Sequence, residues 1–149
     1  MTTIDIVLVR HGESEWNKDN RFCGWVDVAL SERGIEEAYE AARLLKKSKY
    51  VIFDKVYTSL LKRSTETARI IIDEVIKDKS TYKKCDETMF QCVEHWRLNE
   101  RHYGNLTGLN KIEMVKVHGM EKVMEWRRSY DSPPPPITED NPYFYEIGN

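Results

Sequence analysis

The sequence predicts an α/β protein on a mostly parallel sheet, and three observations carry that expectation. Strand-like and helix-like segments alternate along the chain, which argues for parallel strands joined by right-handed helical crossovers. A β-branched run at residues 4–9 stops abruptly at Arg10-His11-Gly12, the pattern of a strand ended by a turn. The strings richest in reactive side chains follow the strand-like runs, and ligands of open α/β sheets sit at the carboxyl ends of strands.

Residues 4–9 form the first expected strand. Residues 17–27 are polar and aromatic without periodicity, so a loop is expected there. Ser31 is a good N-cap for a helix over Glu32–Lys47, where Ile35, Ala38, Ala42 and Leu45 recur at helical spacing. Residues 53–57 read as a second strand closed by Thr58-Ser59. Residues 60–76 read as a second helix, with Leu61, Thr65, Ala68, Ile72 and Val75 on one face. A polar connector covers 77–84, and a third strand is expected at 88–93. Two shorter helices are expected at 109–118 and 121–130, separated by Gly119. Four consecutive prolines within 132–136 impose an extended chain, and the tail to 149 reads as irregular. No internal repeat is present.

A chain of 149 residues fits one domain. The net charge of −2 gives no general attraction to nucleic acid or an anionic membrane. Anion binding must then come from a local cluster of cations. Cys23, Cys85 and Cys92 are too few, and odd in number, for a disulfide framework, so a reducing compartment is expected. The N-terminus has no signal-peptide core, and no apolar run approaches the ~20 residues of a membrane span. A soluble, cytoplasmic protein is the expectation.

His11 is the leading candidate nucleophile. A neutral imidazole has a free lone pair at pH 7 and can attack phosphorus. Its electrophile is anionic and needs flanking cations, which Arg10 and Arg63 could supply; guanidinium forks suit phosphate oxygens. Arg63 falls in the first turn of the second expected helix, where exposed N–H groups also attract anions. Glu100, Arg101, His102 and Tyr103 pack a carboxylate, a cation, an imidazole and a phenol into four positions. Glu100 could act there as general acid or base; an ion-paired loop explains the same string. Lys111, Arg127 and Arg128 complete the basic set, or are ordinary solvated residues. Cys85, Cys92, His95 and His102 could form a zinc cluster, but no Cys-x-x-Cys pair is present and the spacings match no usual structural site. No metal is expected.

Longer strings resolve these alternatives by resemblance. Residues 9–14 (Val-Arg-His-Gly-Glu-Ser), Trp16-Asn17 and residues 21–25 (Arg-Phe-Cys-Gly-Trp) resemble the cofactor-dependent phosphoglycerate mutases of the histidine phosphatase superfamily. Residues 57–63, 96–104 and 106–111 are similar to further signatures of that family, in the same order. Trp126-Arg127-Arg128-Ser129-Tyr130 with the proline run resembles its animal members. The resemblance implies a three-layer α/β/α phosphoglycerate mutase-like fold. It implies His11 as phosphohistidine, Glu100 as proton donor and acceptor, and Arg10 and Arg63 as catalytic cations. Arg10, Asn17 and Arg63 would bind the transferring phosphate. Cys23, Gly24, Glu100, Arg101, His102, Tyr103, Lys111, Arg127 and Arg128 would contact the phosphorylated sugar acid. 3-Phosphoglycerate and 2-phosphoglycerate would interconvert through 2,3-bisphosphoglycerate, which also primes His11. A homodimer or a tetramer is the implied assembly, with the homodimer the one expected. Ser14 and Gly24 favour a glycolytic mutase over the sister bisphosphoglycerate mutases.

Three departures qualify the resemblance. Family members continue well past the equivalent of Asn149 and carry there a second histidine in an Ala-His-Gly-Asn context. The expectation is therefore a single domain over residues 1–149, cut short at its C-terminal side and with an incomplete sheet. In the family, the strand before that histidine lies between the first two strands of this chain, so two unpaired sheet edges are expected. The connector between Asp73 and Trp96 is longer than usual, and Ser64 replaces a small apolar residue. The alternative functions are an inactive truncated paralogue that binds phosphorylated ligands or a partner subunit, and a bisphosphoglycerate mutase or phosphatase.

Overall fold

The computed structural model describes residues 4–48, 53–76 and 92–148. Helix α1 is Glu15–Lys18, α2 is Glu32–Lys47, and strand β1 is Val56–Thr58. Helix α3 is Lys62–Ile76 and strand β2 is Cys92–Glu94. Helices α4 (Lys111–His118), α5 (Met120–Arg128) and α6 (Phe144–Ile147) follow. Strands β1 and β2 are parallel, with Val56, Tyr57 and Thr58 in register with Cys92, Val93 and Glu94. Both lead at their carboxyl ends into the chemistry-bearing strings, as an α/β sheet requires.

Helix α2 has the expected bounds for the expected reason. Ser31 Oγ accepts from the Gly34 N–H at 3.1 Å, and Lys46 and Lys47 face the negative end of the dipole. Its buried Ala42 packs on Ile71 and Val75 of α3, with Ala41 and Leu45 at the margin. Small side chains let the two helices approach closely. A second core joins Phe22, Tyr103, Leu106, Val123 and Trp126. It ties the loop before α2 to the string after β2 and to α5.

The first expected strand is corrected. Residues 4–9 enter no ladder, and Ile4, Ile6 and Leu8 are 82 %, 76 % and 91 % exposed. A strand exists only with a partner for its backbone groups. Among the described residues the only ladder joins β1 to β2, so this run has none. The second strand is shifted to 56–58 and the third to 92–94; residues 88–91 and the connector 77–84 lie outside the described residues. Helix α3 begins at Lys62 rather than 60, and α4 and α5 are trimmed to 111–118 and 120–128.

Two elements were not expected. Helix α1 opens the presumed loop through a reciprocal cap: Ser14 Oγ accepts from Asn17 N–H, and Asn17 Oδ1 accepts from Ser14 N–H, each at 3.2 Å. The tail is also ordered. Asn141 Nδ2 donates to the Asn105 and Thr107 carbonyls, Asn105 N–H donates to Pro135 O at 2.8 Å, and α6 ends the segment. Among the described residues, no helix is long and apolar enough to cross a membrane.

Candidate active site

His11 heads the loop that joins residues 4–9 to α1, and the Gly12 behind it is held from several sides. The Gly12 N–H donates to Thr67 Oγ1 of α3 at 3.2 Å. The loop also presses on the first turn of α2. A Cβ on Gly12 would collide with the Gly34 carbonyl, and a Cβ on Gly34 with the Glu13 carbonyl. Only glycines permit that approach. The Gly12 carbonyl accepts from His11 Nδ1–H at 2.6 Å. A carbonyl can only accept, so the proton is on Nδ1 and the lone pair is on Nε2. Burial pushes the imidazole pKa below its ordinary 6.5. The Gly12 carbonyl and Glu100 oppose that shift, while the cations of Arg63 and Arg10 reinforce it.

Arg63, in the first turn of α3, is 1 % exposed. Its Nη1 donates to Val26 O at 3.0 Å, and its Nη2 to Gly24 O at 2.6 Å and Glu100 Oε2 at 3.0 Å. The buried charge is thus paired and hydrogen-bonded, as burial demands. One side chain draws together the turn after β1, the 22–27 loop and the string after β2. Glu100 is gripped a second time, because its backbone carbonyl accepts from Trp25 Nε1–H at 2.7 Å. Gly24 has φ +58°, a left-handed conformation that brings its carbonyl to Arg63.

Cys23, Tyr103, Lys111 and Arg127 gather around this pair. Burial pushes the Cys23 thiol up to about 11, and its Sγ donates to Val26 O at 3.5 Å. A thiol so protonated is no nucleophile at neutral pH. Burial and then the Glu100 carboxylate raise the Tyr103 hydroxyl, with Arg101 and Arg127 opposing. Burial and then Arg127 lower the Lys111 ammonium, with Glu100 and Cys23 opposing. Arg10, Arg63, Lys111 and Arg127 therefore act on one small region, against the carboxylates Glu100 and Asp27. The surplus of positive charge suits a multiply charged anion.

The remaining expected residues are placed differently. Arg101 caps α5, donating from Nη1 to Trp126 O at 2.8 Å and from Nη2 to Ser129 O at 3.1 Å. His102 accepts from Gly104 N–H at Nδ1 (2.9 Å) and meets Ile147 O through Nε2 (3.1 Å), so both ring nitrogens are engaged with backbone. Asn17 uses its Oδ1 in the α1 cap, leaving its amide N–H groups as the donor side. Arg128 is exposed, about 100° further round α5 than Arg127. Thr67, Gly34 and Trp25 were not anticipated. Gly34 carried a signal, being a glycine inside a predicted helix. Trp25 stood in the string 21–25 without a role assigned to it, and Thr67 carried no signal, since its role depends on a backbone group distant in sequence.

Two open cavities, of about 490 and 560 Å³, lie away from His11. One lies between Trp126 and the proline run, the other along α3 beside β2. Among the described residues, no group of three or more His, Cys, Asp or Glu could hold a metal ion. Cys85 of the zinc alternative lies outside the described residues, and the ring nitrogens of His102 are engaged as above.

The fold thus brings a histidine with its lone pair on Nε2, a buried arginine and a carboxylate into one neighbourhood. The chain belongs to the histidine phosphatase superfamily (branch 1), whose family model matches residues 6–146. It is 51 % identical over 137 residues to the 2,3-bisphosphoglycerate-dependent phosphoglycerate mutase of Parabacteroides distasonis, covering 92 % of this chain and 51 % of that protein. The enzyme of the same name from Elusimicrobium minutum is 50 % identical over the same shares. The chain thus spans about half the length of these curated relatives. Among solved structures, mycobacterial glucosyl-3-phosphoglycerate phosphatase superposes with a TM-score of 0.66 at 24 % identity, covering 83 % of this chain and 51 % of that one. YhfR of Bacillus stearothermophilus superposes with a TM-score of 0.57 at 26 % identity, covering 79 % and 50 %. The family match and these likenesses establish the α/β histidine phosphatase fold that the sequence implied.

Proposed function

We propose that this chain carries the phosphoryl-accepting part of a 2,3-bisphosphoglycerate-dependent phosphoglycerate mutase. The observation that carries the reading is the state of His11: its Nδ1–H is given to Gly12 O, its lone pair is on Nε2, and burial favours the neutral ring. The identity to curated mutases over 92 % of the chain supports the substrate class. 2,3-Bisphosphoglycerate would supply the phosphoryl group that primes the enzyme. His11 Nε2 attacks phosphorus; the N–P bond forms and the P–O bond to the sugar acid breaks. Glu100 gives a proton to the departing oxygen and takes it from the hydroxyl that later recovers the group. Arg10 and Arg63 offset the charge that spreads over the transferring phosphoryl oxygens. Lys111, Tyr103 and Arg127 hold the carboxylate and the second phosphate. Asn17, Cys23, Gly24, Arg101, His102 and Arg128 complete the binding surface in the same reading. Arg101 and His102 act through the helix and tail they fasten.

The reading makes small phosphorylated sugar acids the partners, rather than nucleic acid or membrane. It places the protein in the cytoplasm, acting in glycolysis and gluconeogenesis as a homodimer. The test is to incubate the chain with 2,3-bisphosphoglycerate and record its intact mass beside a His11→Ala control. One acid-labile phosphoryl group, absent from the control, supports the reading. No gain in a chain shown to be folded by circular dichroism sinks it for this polypeptide.

A further inference from the structure

The mechanism above leaves Thr67 without a part, although its side chain touches both the nucleophile's loop and the arginine's turn. Its hydroxyl is 4 % exposed at the residue level and fully employed. It donates to Arg63 O, one helical turn earlier, at 2.7 Å, and it accepts the Gly12 N–H at 3.2 Å. The peptide that it fixes joins His11 to Gly12. The next carbonyl, Gly12 O, is the group that holds the His11 Nδ1 proton. That carbonyl belongs to the Gly12–Glu13 peptide, whose N–H donates to Glu37 Oε2 at 2.9 Å. Thr67 and Glu37 therefore hold the peptides on the two sides of Gly12, and freeing the His11–Gly12 side would loosen the carbonyl's aim at the ring and release the tautomer.

A threonine hydroxyl bonded to the carbonyl four residues back is a common device in helices. Here the bond does more, because it orients the remaining lone pairs of Oγ1 toward the loop. Gly34 meets Gly12 by contact, its carbonyl lying where a Cβ on Gly12 would sit. Thr67 is therefore the element that sets the angle of this peptide, while Gly34 limits its distance.

We propose that Thr67 is a positioning residue for phosphoryl acceptance, one that locks His11 in the Nδ1–H form by anchoring the His11–Gly12 peptide to the first turns of α3. The proposal rests on the reading of His11 as nucleophile only for its kinetic consequence; the tautomer lock stands or falls independently. Three forms of the chain are compared: unmodified, Thr67→Ser, which keeps the hydroxyl, and Thr67→Val, which keeps the volume and removes it.

Two readouts apply. Imidazole nitrogen shifts of His11, measured by long-range proton–nitrogen correlation, report the tautomer without any turnover. Incorporation of acid-labile phosphate from 2,3-bisphosphoglycerate reports the kinetics. The unmodified chain and Thr67→Ser should show one dominant Nδ1–H tautomer. Thr67→Val should show a mixture and accept phosphate about tenfold more slowly, the loss of one oriented hydrogen bond. A merely structural role would lower stability and leave the tautomer of the folded fraction unmoved. An unchanged tautomer in folded Thr67→Val overturns the proposal, even if no form of the chain accepts phosphate. Should Thr67→Val fail to fold, exchange of the Gly12 amide in the unmodified chain decides. Protection of at least about tenfold over a free peptide is expected, and exchange at the free rate overturns the inference.

Discussion

Replacing Arg63 with methionine should cost this chain a large share of its stability, because of where the guanidinium ends rather than because of its charge. The side chain is 1 % exposed and makes three hydrogen bonds, to Val26 O, Gly24 O and Glu100 Oε2. Methionine retains the apolar stem and roughly fills the space. It leaves the Gly24 carbonyl without its donor, at about 1–3 kcal/mol if that group stays dry, whereas Val26 O keeps the Val28 N–H at 3.0 Å and the Cys23 thiol. Breaking a fully buried ion pair costs about 3–5 kcal/mol. The Glu100 side chain, however, is 36 % exposed, and water replaces much of what it loses, so its share falls to about 1 kcal/mol. The expected total is about 2–4 kcal/mol, against the 5–15 kcal/mol typical of a whole domain. With a urea slope near 2 kcal/mol per molar, the midpoint should fall by about 1–2 M. The assay is equilibrium urea denaturation followed by far-ultraviolet circular dichroism, with Glu100→Gln and the double variant completing a cycle. Glu100→Gln alone should cost under about 1 kcal/mol, and the coupling between the two should be near 1 kcal/mol. A loss below about 1 kcal/mol for Arg63→Met would refute the view that this side chain ties the two loops to α3.

Four further outcomes follow from the structure. Phosphoryl acceptance by His11 needs the neutral ring, whose pKa lies below 6.5, so a pH–rate profile should stay flat down to that value and fall only beyond it; an acid limb centred higher would contradict the burial argument. The unfolded chain takes up this proton first as pH drops, so stability should decline on the acid side of 6.5 and show no contribution above it, a decline that a denaturation series on His11→Ala should reduce. Gly34→Ala should lower the melting temperature despite the better helix propensity of alanine, because overpacking against the Glu13 carbonyl costs about 1–3 kcal/mol and the propensity gain is about 1 kcal/mol; a raised melting temperature would deny the contact. Ile6→Lys should reduce self-association seen by light scattering, since residues 4–9 present exposed β-branched side chains without a ladder partner; equal scattering from both forms would show that this run is not the adhesive surface.

What could be read from the sequence depended on how far apart the cooperating residues lie. Helix α2 was legible to the residue, because Ser31, the apolar spacing and the terminal lysines all act within one segment. Residues 4–9 had the composition of a strand and did not become one, because strand formation depends on a neighbour and composition says nothing of whether it is there. The α1 cap was missed for a smaller reason: its third residue is Asn17 rather than the Glu or Gln of the usual signature. The tail read as irregular because its order comes from Asn141, Tyr143 and Ile147 meeting partners at Asn105, Arg21 and His102.

The same rule sorts the candidate site. His11, Arg63 and Glu100 stand in strings whose chemistry can be recognised from residue type, and the fold brings all three into one neighbourhood. Arg101 and His102 stand in the same strings, yet their polar atoms turn to backbone carbonyls and amides of α5, the tail and Gly104. A motif thus mixes groups that could face a ligand with groups that hold the motif in place, and residue type cannot separate them. Thr67 and Gly34 are the converse: each holds a peptide beside a reactive side chain and belongs to no reactive string, while Trp25 does the same from within the string 21–25. Their effect passes through the backbone, where a hydrogen bond or a missing Cβ decides the aim of a neighbouring ring or carboxylate. Such residues become visible only once the carbonyl they orient has been located, which is why the tautomer of His11, and not its identity, is the more demanding test of this site.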